Sequence, residues 1–387
     1  MDSLLMRLFE DDSSSNDDFD VATILLADLA ENERPRRRGS ARGREVVRRN
    51  KQAADAKLYD DYFAEDPVYG PVTFRRRYRM SKELFLRIAN AVETHDPYFQ
   101  QKRNAAGELG HSALKKITAA LRMLAYGVPA DSLDEALYIA ESTIILSLRR
   151  FVKAVVELFG EQYLRAPNDE DTTRLMQMGE AKGFPGMLGK AVASHDLWIW
   201  HAYFGMPGSH NDINVLHRSS LFARLAAGKA PLVNFEVNGH EYTMGYYLAD
   251  GIYPSWSTSV KAIRDPKSNK ASHFTKCQEA ERKDVERAFG VLQSRFAIVR
   301  GPVRFWDQKT LWYIMTACVI MHNMIIEDER GQSEDFVYDH VGKPVVPEKN
   351  KDRVYKFLKM HRKIENREAH EQLRDDLGEH LWQIYGQ

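Results

Sequence analysis

Three carboxylates stand where an acid could do chemistry. Asp250 ends a short apolar run, 246–248, and precedes Gly251. In open α/β sheets, sites form beyond the carboxyl ends of strands, so an acid there is a candidate metal ligand. The same residue can equally open a turn before glycine. Glu286 lies in an amphipathic run, 284–296, with Phe289 and Gly290 one helical turn on. A carboxylate beside an apolar stripe needs a cation or a metal as partner, and Lys283 and Arg287 are near enough for a plain ion pair. Asp212 follows a Gly208-Ser209-His210-Asn211 turn at a helix start, where an acid also serves as a cap or first-turn residue. Converging from a helix start, a strand end and a helix, the three would hold two Mg²⁺ or Mn²⁺ ions. Hard cations prefer such oxygen ligands. Two ions about 3.5–4 Å apart activate a nucleophile and stabilise the leaving oxygen in phosphodiester chemistry.

The elements that must position these acids alternate in type. The aromatic run HDLWIWHAYFG, 195–205, reads as a buried strand preceded by Gly183, Pro185, Gly186 and Gly189. Residues 211–222 read as a helix with Ile213, Leu216 and Leu221 apolar, and 246–248 as a strand. The run 284–296 reads as a helix carrying Val285, Ala288, Phe289, Leu292 and Phe296. Strands alternating with helices imply an α/β domain over 183–330. The longest apolar stretch, 311–326, contains Thr316, His322 and Asn323. A membrane span needs about 20 residues, so a buried core helix and no membrane partner are expected.

Upstream, 58–182 reads as helical. Ser81 has the character of an N-cap, with Leu84, Phe85, Ile88 and Val92 as the stripe behind it. Arg75, Arg76, Arg77 and Arg79 interleave with Phe74 and Tyr78, which suits contact with phosphates and bases and equally suits a solvated helix start. Ser112 caps a helix carrying Ile117, Leu121 and Leu124, broken by Gly127, Pro129 and Asp131. A short segment, 133–138, leads to a longer helix capped by Ser142, with Ile145, Leu148, Val152, Val155, Val156 and Phe159. Helix, turn, short helix and longer helix are compatible with a helix-turn-helix reader whose last helix presents Arg149, Arg150 and Lys153 to DNA. Generic helical packing gives the same pattern.

Charge is segregated over 1–57. Residues 1–33 carry ten acids and one base, and 34–51 carry nine bases, Arg36, Arg37 and Arg38 among them, with one acid. Such blocks repel themselves and stay unfolded. The basic block suits nucleic acid or a nuclear import signal, or is a solvated tail. The acidic start lacks the basic and apolar regions of a secretory signal, so a soluble intracellular protein is expected. Over the whole chain, 55 basic and 55 acidic residues cancel, which excludes a uniformly basic protein. Two cysteines, Cys277 and Cys318, exclude a disulfide framework and a four-thiolate zinc site. The sequence has no Walker loop, dinucleotide glycine fingerprint or Cys-x-x-Cys. His195, His201 and His210 read as strand and turn residues rather than zinc ligands. From 331 the chain is polar, with a possible helix at 371–385.

Several runs together resemble a known family. They are GFPGMLG (183–189), HDLWIWHAYFGMPGSHNDINVL (195–216), YYLADGIYP (246–254), RKDVERAFGVLQSRFAIV (282–299) and MTACVIMHNMIIEDER (315–330). RRRYRMSKELFLRI (75–88) and ITAALRMLAYGVPADSLDEALYIAEST (117–143) extend the likeness upstream. Across 58–330 the chain resembles plant-type PIF/Harbinger transposases and Harbinger transposase-derived nucleases. The resemblance implies an RNase H-like DDE domain at 183–330, preceded by a helical, helix-turn-helix-like region at 58–182. It implies a divalent metal (Mg²⁺ or Mn²⁺), DNA as substrate, a Myb-like DNA-binding protein as partner, and a nuclear location. It puts the second catalytic Asp on Asp250, the catalytic Glu on Glu286 and a further metal-site Asp on Asp212.

The sequence departs from that family at one place. There, GFPGMLG continues into a strand of the type Ser-Ile-Asp-Cys that carries the first catalytic Asp. Here Gly189 is followed by Lys190, Ala191, Val192, Ala193, Ser194 and His195. Asp196 falls at what should be a turn and is a poor substitute. Loss of a ligand shared by both metals predicts weak or absent cleavage. Loss of a central strand leaves neighbouring backbone groups unpaired, at about 1–3 kcal/mol for each buried group. The expected activity is therefore DNA endonuclease by descent, and the alternative is a non-catalytic DNA- or chromatin-associated adaptor.

Overall fold

In the computed structural model, which describes residues 49–165, 167–187, 193–194, 196–200, 232–251, 253–302, 305, 307–330 and 366–385, helices dominate. The chain opens with α1 (Lys51–Tyr62), α2 (Pro71–Tyr78) and α3 (Lys82–His95). It continues with α4 (Ala113–Tyr126), α5 (Asp131–Leu137), α6 (Glu141–Tyr163) and α7 (Asp169–Glu180). Strands β1 (Leu232–Val237), β2 (His240–Met244), β3 (Tyr247–Ala249) and β4 (Ser259–Lys261) follow. Three long helices complete it: α8 (Asn269–Arg295), α9 (Gln308–Arg330) and α10 (Arg367–Tyr385).

Local chemistry sets the helix ends. The Ser81 side chain accepts the Leu84 N–H at 3.1 Å and the Ser112 side chain accepts that of Lys115 at 3.3 Å. Each satisfies a donor that a helix start leaves orphaned. Gly127 closes α4 at φ 63°, the left-handed region glycine enters freely. The expected Ser142 cap is corrected: α6 starts at Glu141 after an extended Ala140, with no side-chain cap, so Ser142 is inside the first turn.

The larger core is built from these helices. The stripes Leu84, Phe85, Ile88, Val92 and Ile117, Leu121, Leu124 are buried, as are Leu148, Val152 and Val155 of α6. Phe74 and Tyr78 stack on each other at 4.2 Å and are 2% and 0% exposed, so neither ring is free to meet a base. Helix α9 runs through the same core. It is the one described helix long and apolar enough to cross a membrane, and 72% of its apolar window is buried in protein. The expectation of a core helix at 311–326 holds.

A second cluster joins Phe184, Met187, Val237, Tyr246, Leu248 and Val260 to Phe274 of α8 and to Leu373, Leu377 and Leu381 of α10. The helix expected at 371–385 thus belongs to a core. Strands β1 and β2 pair antiparallel through Asn238 (φ 51°) and Gly239 (φ 81°), the two positive φ values that a type I′ hairpin turn requires. Strands β3 and β4 pair parallel. Gly186 (φ 75°) lies so close to Phe235 that an added Cβ would sit 2.3 Å from the ring.

Among the described residues the architecture is helix-rich with two two-stranded sheets, compatible with an α/β class; one continuous sheet is not seen there. The strand expected at 195–205 is reduced, within the described part, to the single antiparallel bridge Ala193–Ile199. The helix expected at 284–296 starts earlier, at Asn269, where Ser268 accepts the Ala271 N–H at 3.1 Å. Its 27 residues span about 40 Å. Phe274 sits in the smaller cluster, and Ala288, Leu292 and Phe296 in the larger one.

Candidate functional site

One face of α8 runs past the end of the parallel strand pair. Gln278, fully buried, donates to Ala249 O at 3.0 Å and to Val260 O at 3.1 Å, tying the ends of β3 and β4 to the helix. One turn on, Arg282 Nη1 donates to Asp250 Oδ2 at 3.0 Å. One turn further is Glu286, about 6 Å along the axis from Arg282 at the α-helical rise. The same helix face therefore fixes the strand ends, holds Asp250 and carries Glu286.

Asp250 has both plain roles that its position allows. Its Oδ1 accepts the Gly251 N–H at 2.6 Å, opening the turn, and Oδ2 takes the Arg282 guanidinium. The carboxylate stays half-exposed, at 53%. Glu286 is exposed. This corrects its expected place beside the apolar stripe, because the helix turns Ala288 and Leu292 inward instead. The partner of Asp250, Arg282, was not among the basic neighbours read from the sequence. The i, i+4 spacing of Gln278, Arg282 and Glu286 was the available signal for this face.

Asp212 and the basic Arg36, Arg37 and Arg38 lie outside the described residues. Arg150 is clamped by Asp96 at 2.7 and 2.9 Å, Lys153 pairs with Glu157 at 3.8 Å, and Arg149 lies 6.0 Å from the Phe305 ring. Among the described residues no group of three or more His, Cys, Asp or Glu is disposed to hold a metal ion. Asp250 and Glu286 are hard oxygen donors of the right kind. With both Asp250 oxygens engaged, the described side chains do not form a two-metal centre.

A second polar constellation escaped the sequence reading. His322 and Asn323 are fully buried in α9. Asn323 accepts the Ile199 N–H at 2.9 Å and donates to Ile199 O at 2.8 Å, the pair of bonds a neighbouring strand would supply. It also donates to Tyr163 O at 2.7 Å. His322 Nε2 donates to Leu197 O at 2.9 Å, and Nδ1 faces Arg295 at 3.3 Å. Burial, then the Arg295 charge, pushes the His322 pKa down to about 4, so the ring is neutral at pH 7. Asp196, the poor substitute for a catalytic Asp, is engaged by Arg174 at 3.2 Å and by Arg330.

Comparison with known proteins points to transposase-derived relatives. The family model described as plant transposon protein matches residues 189–333, which contain Asp212, Asp250 and Glu286. A domain of unknown function (DUF8418) matches residues 55–93. The chain is 22% identical over 314 residues to an ALP1-like protein of Arabidopsis thaliana, covering 69% of this chain and 75% of that one. No solved structure matches. The plant transposon match over the strand end and the α8 face, together with the ALP1-like relative, supports the chain's resemblance to plant-type PIF/Harbinger transposase-derived proteins.

Proposed function

We propose that this is a transposase-derived DDE-family protein, by descent a Mg²⁺- or Mn²⁺-dependent DNA endonuclease on an RNase H-like fold, with little or no cleavage activity as it stands. The observation that carries the reading is the α8 face: Gln278 docks the strand ends, Arg282 takes Asp250, and Glu286 follows one turn later. A strand-end Asp held by the helix that carries Glu286 is what a DDE site would retain, and Asp212 is the proposed third ligand. A bound divalent ion would supply charge stabilisation at the scissile phosphate. The chain's own contribution works against that. Arg282 already neutralises Asp250, and the segment that would bring the first Asp is missing after Gly189.

A second reading has the same observation in its favour. An arginine seated on the acid suits a protein that keeps DNA and loses cleavage, a DNA- or chromatin-associated adaptor. DNA, a Myb-like DNA-binding protein and the nucleus are the partners and location proposed for it. Incubating the purified full chain with supercoiled plasmid and Mn²⁺ tests both. Trace or no nicking is expected, with retained DNA binding favouring the adaptor. Robust nicking that survives Glu286→Ala would sink the site assignment. Sequencing the message across codons 189 and 190 tests the junction, since a longer message restoring an Asp-bearing strand overturns the inactive reading.

A further inference from the structure

The arginine run 75–79 splits into two groups with different fates. Arg75 turns inward to an ion pair with Glu329, which also takes Arg295 at 2.7 Å. Among the described residues, Arg77 and Arg79 find no acid. The Arg77 guanidinium lies 4.1 Å from the centre of the Tyr69 ring and donates to the Tyr62 hydroxyl. Arg122, from α4, reaches the same hydroxyl at 3.4 Å. One turn after Arg122, the exposed ring of Tyr126 lies 5.4 Å from the Arg79 guanidinium. The three cations thus form one chain of contacts through Tyr62 and Tyr126, with Arg76 exposed beside it.

Phenols are neutral, so they hold these guanidinium groups without cancelling their charge. Among the described residues no carboxylate lies within ion-pair distance of Arg76, Arg77, Arg79 or Arg122. Other arginines of the helical core are neutralised, Arg49 by Asp134 and Arg150 by Asp96. The Nε atoms of Arg79 and Arg122 are also buried without an acceptor. Arg79 carries a further cost: it closes α2 at φ 67°, a conformation that glycine adopts freely and arginine does not. Strain of that kind, at a residue whose side chain then stands over an exposed ring, directs attention to binding.

We propose that Arg77, Arg79 and Arg122, with Tyr126 and Arg76, form a phosphate-binding cleft for the sugar–phosphate backbone of DNA, separate from the α8 carboxylates. Planar guanidinium forks match phosphate oxygens, and a flat exposed ring accepts a sugar or base. Such contacts position DNA without reading its sequence. The choice of DNA over other phosphates rests on the family reading above; the cleft itself rests only on the geometry.

The test is binding of a short mixed-sequence DNA duplex in EDTA, where cleavage plays no part. Arg79→Gly is the informative variant, because glycine relieves the left-handed strain and the protein folds at least as well. Its melting temperature is expected to rise while affinity falls about tenfold, the weight of one charge-assisted hydrogen bond. The slope of log affinity against log salt should become shallower by about 1. Replacing Arg77, Arg79 and Arg122 together with Gln should flatten it by about 3. Lys270→Gln removes a surface cation already paired with Glu379 and should leave affinity and slope unchanged, which separates this cleft from a general loss of positive charge. Unchanged affinity and slope in both arginine variants overturn the proposal. So does Arg79-dependent binding of an acidic peptide with none of DNA.

Discussion

The two hydrophobic clusters share α8 and differ in almost everything else. The larger is made by helices close in sequence, several of them capped by a serine or asparagine side chain, plus the buried α9. The smaller gathers the 183–187 turn, four short strands and α10, elements far apart along the chain. A helix satisfies its backbone internally, so the larger core needs only apolar faces to meet. Strands satisfy theirs on one another, and here each sheet has only two. The smaller cluster therefore leans on side chains as backbone partners: Gln278 serves the ends of β3 and β4, and Asn238 donates to Asp376 O at 2.8 Å. The candidate acids sit beside this second kind of structure.

The exception inside the larger core is the segment 197–199, and it offers the hardest test of the contrast. Asn323→Leu leaves the Ile199 N–H, the Ile199 carbonyl and the Tyr163 carbonyl without that amide. At about 1–3 kcal/mol for each of these three buried groups, the expected loss is roughly 3–9 kcal/mol. Urea unfolding measures it, and a loss below about 1 kcal/mol would mean that water or backbone shifts replace the amide.

The next test uses acid. His322 is held down to about 4 in the folded chain, against an ordinary value of 6.5. The unfolded chain therefore takes up the proton first. Stability is full above pH 6.5, declines as pH falls toward 4, and is level below that for this group. The loss across the window is roughly 3 kcal/mol. His111 is depressed to about 4 as well, by burial and then by Lys115, so His322→Gln and His111→Gln variants apportion the transition. An acid profile unchanged by His322→Gln would remove this residue from the account.

The smallest effect is expected in the smaller cluster. Gly186→Ala puts a methyl 2.3 Å from the Phe235 ring at a φ of 75°. The cost is about 2 kcal/mol, from overpacking and backbone strain. If the clusters are as independent as their construction suggests, hydrogen exchange speeds up in β1 and β2 and stays unchanged in α4 and α6. Equal acceleration in both would make them one cooperative unit.

How much of this was legible in the residues differs between the same two regions. The caps at Ser81 and Ser112, the stop at Gly127, the stripes behind them and the burial of 311–326 were readable, because helical period and capping are local. The strand end at Asp250 was readable too, from an apolar run stopped by Asp-Gly. The partner of Asp250, the exposure of Glu286 and the neutralised state of Arg75 were not, since each depends on which helix face meets which neighbour. Nor did the pattern mark His322 and Asn323 as more than interruptions of an apolar helix. What makes them structural is a segment more than 120 residues earlier in the chain. The sequence alone determined that the upstream region is helical, where α3 and α4 begin and which acids were candidates. Only the tertiary structure decided which charges are spent on one another and which remain uncancelled, because electrostatic pairing acts through space over a few ångströms and the order of residues does not encode it.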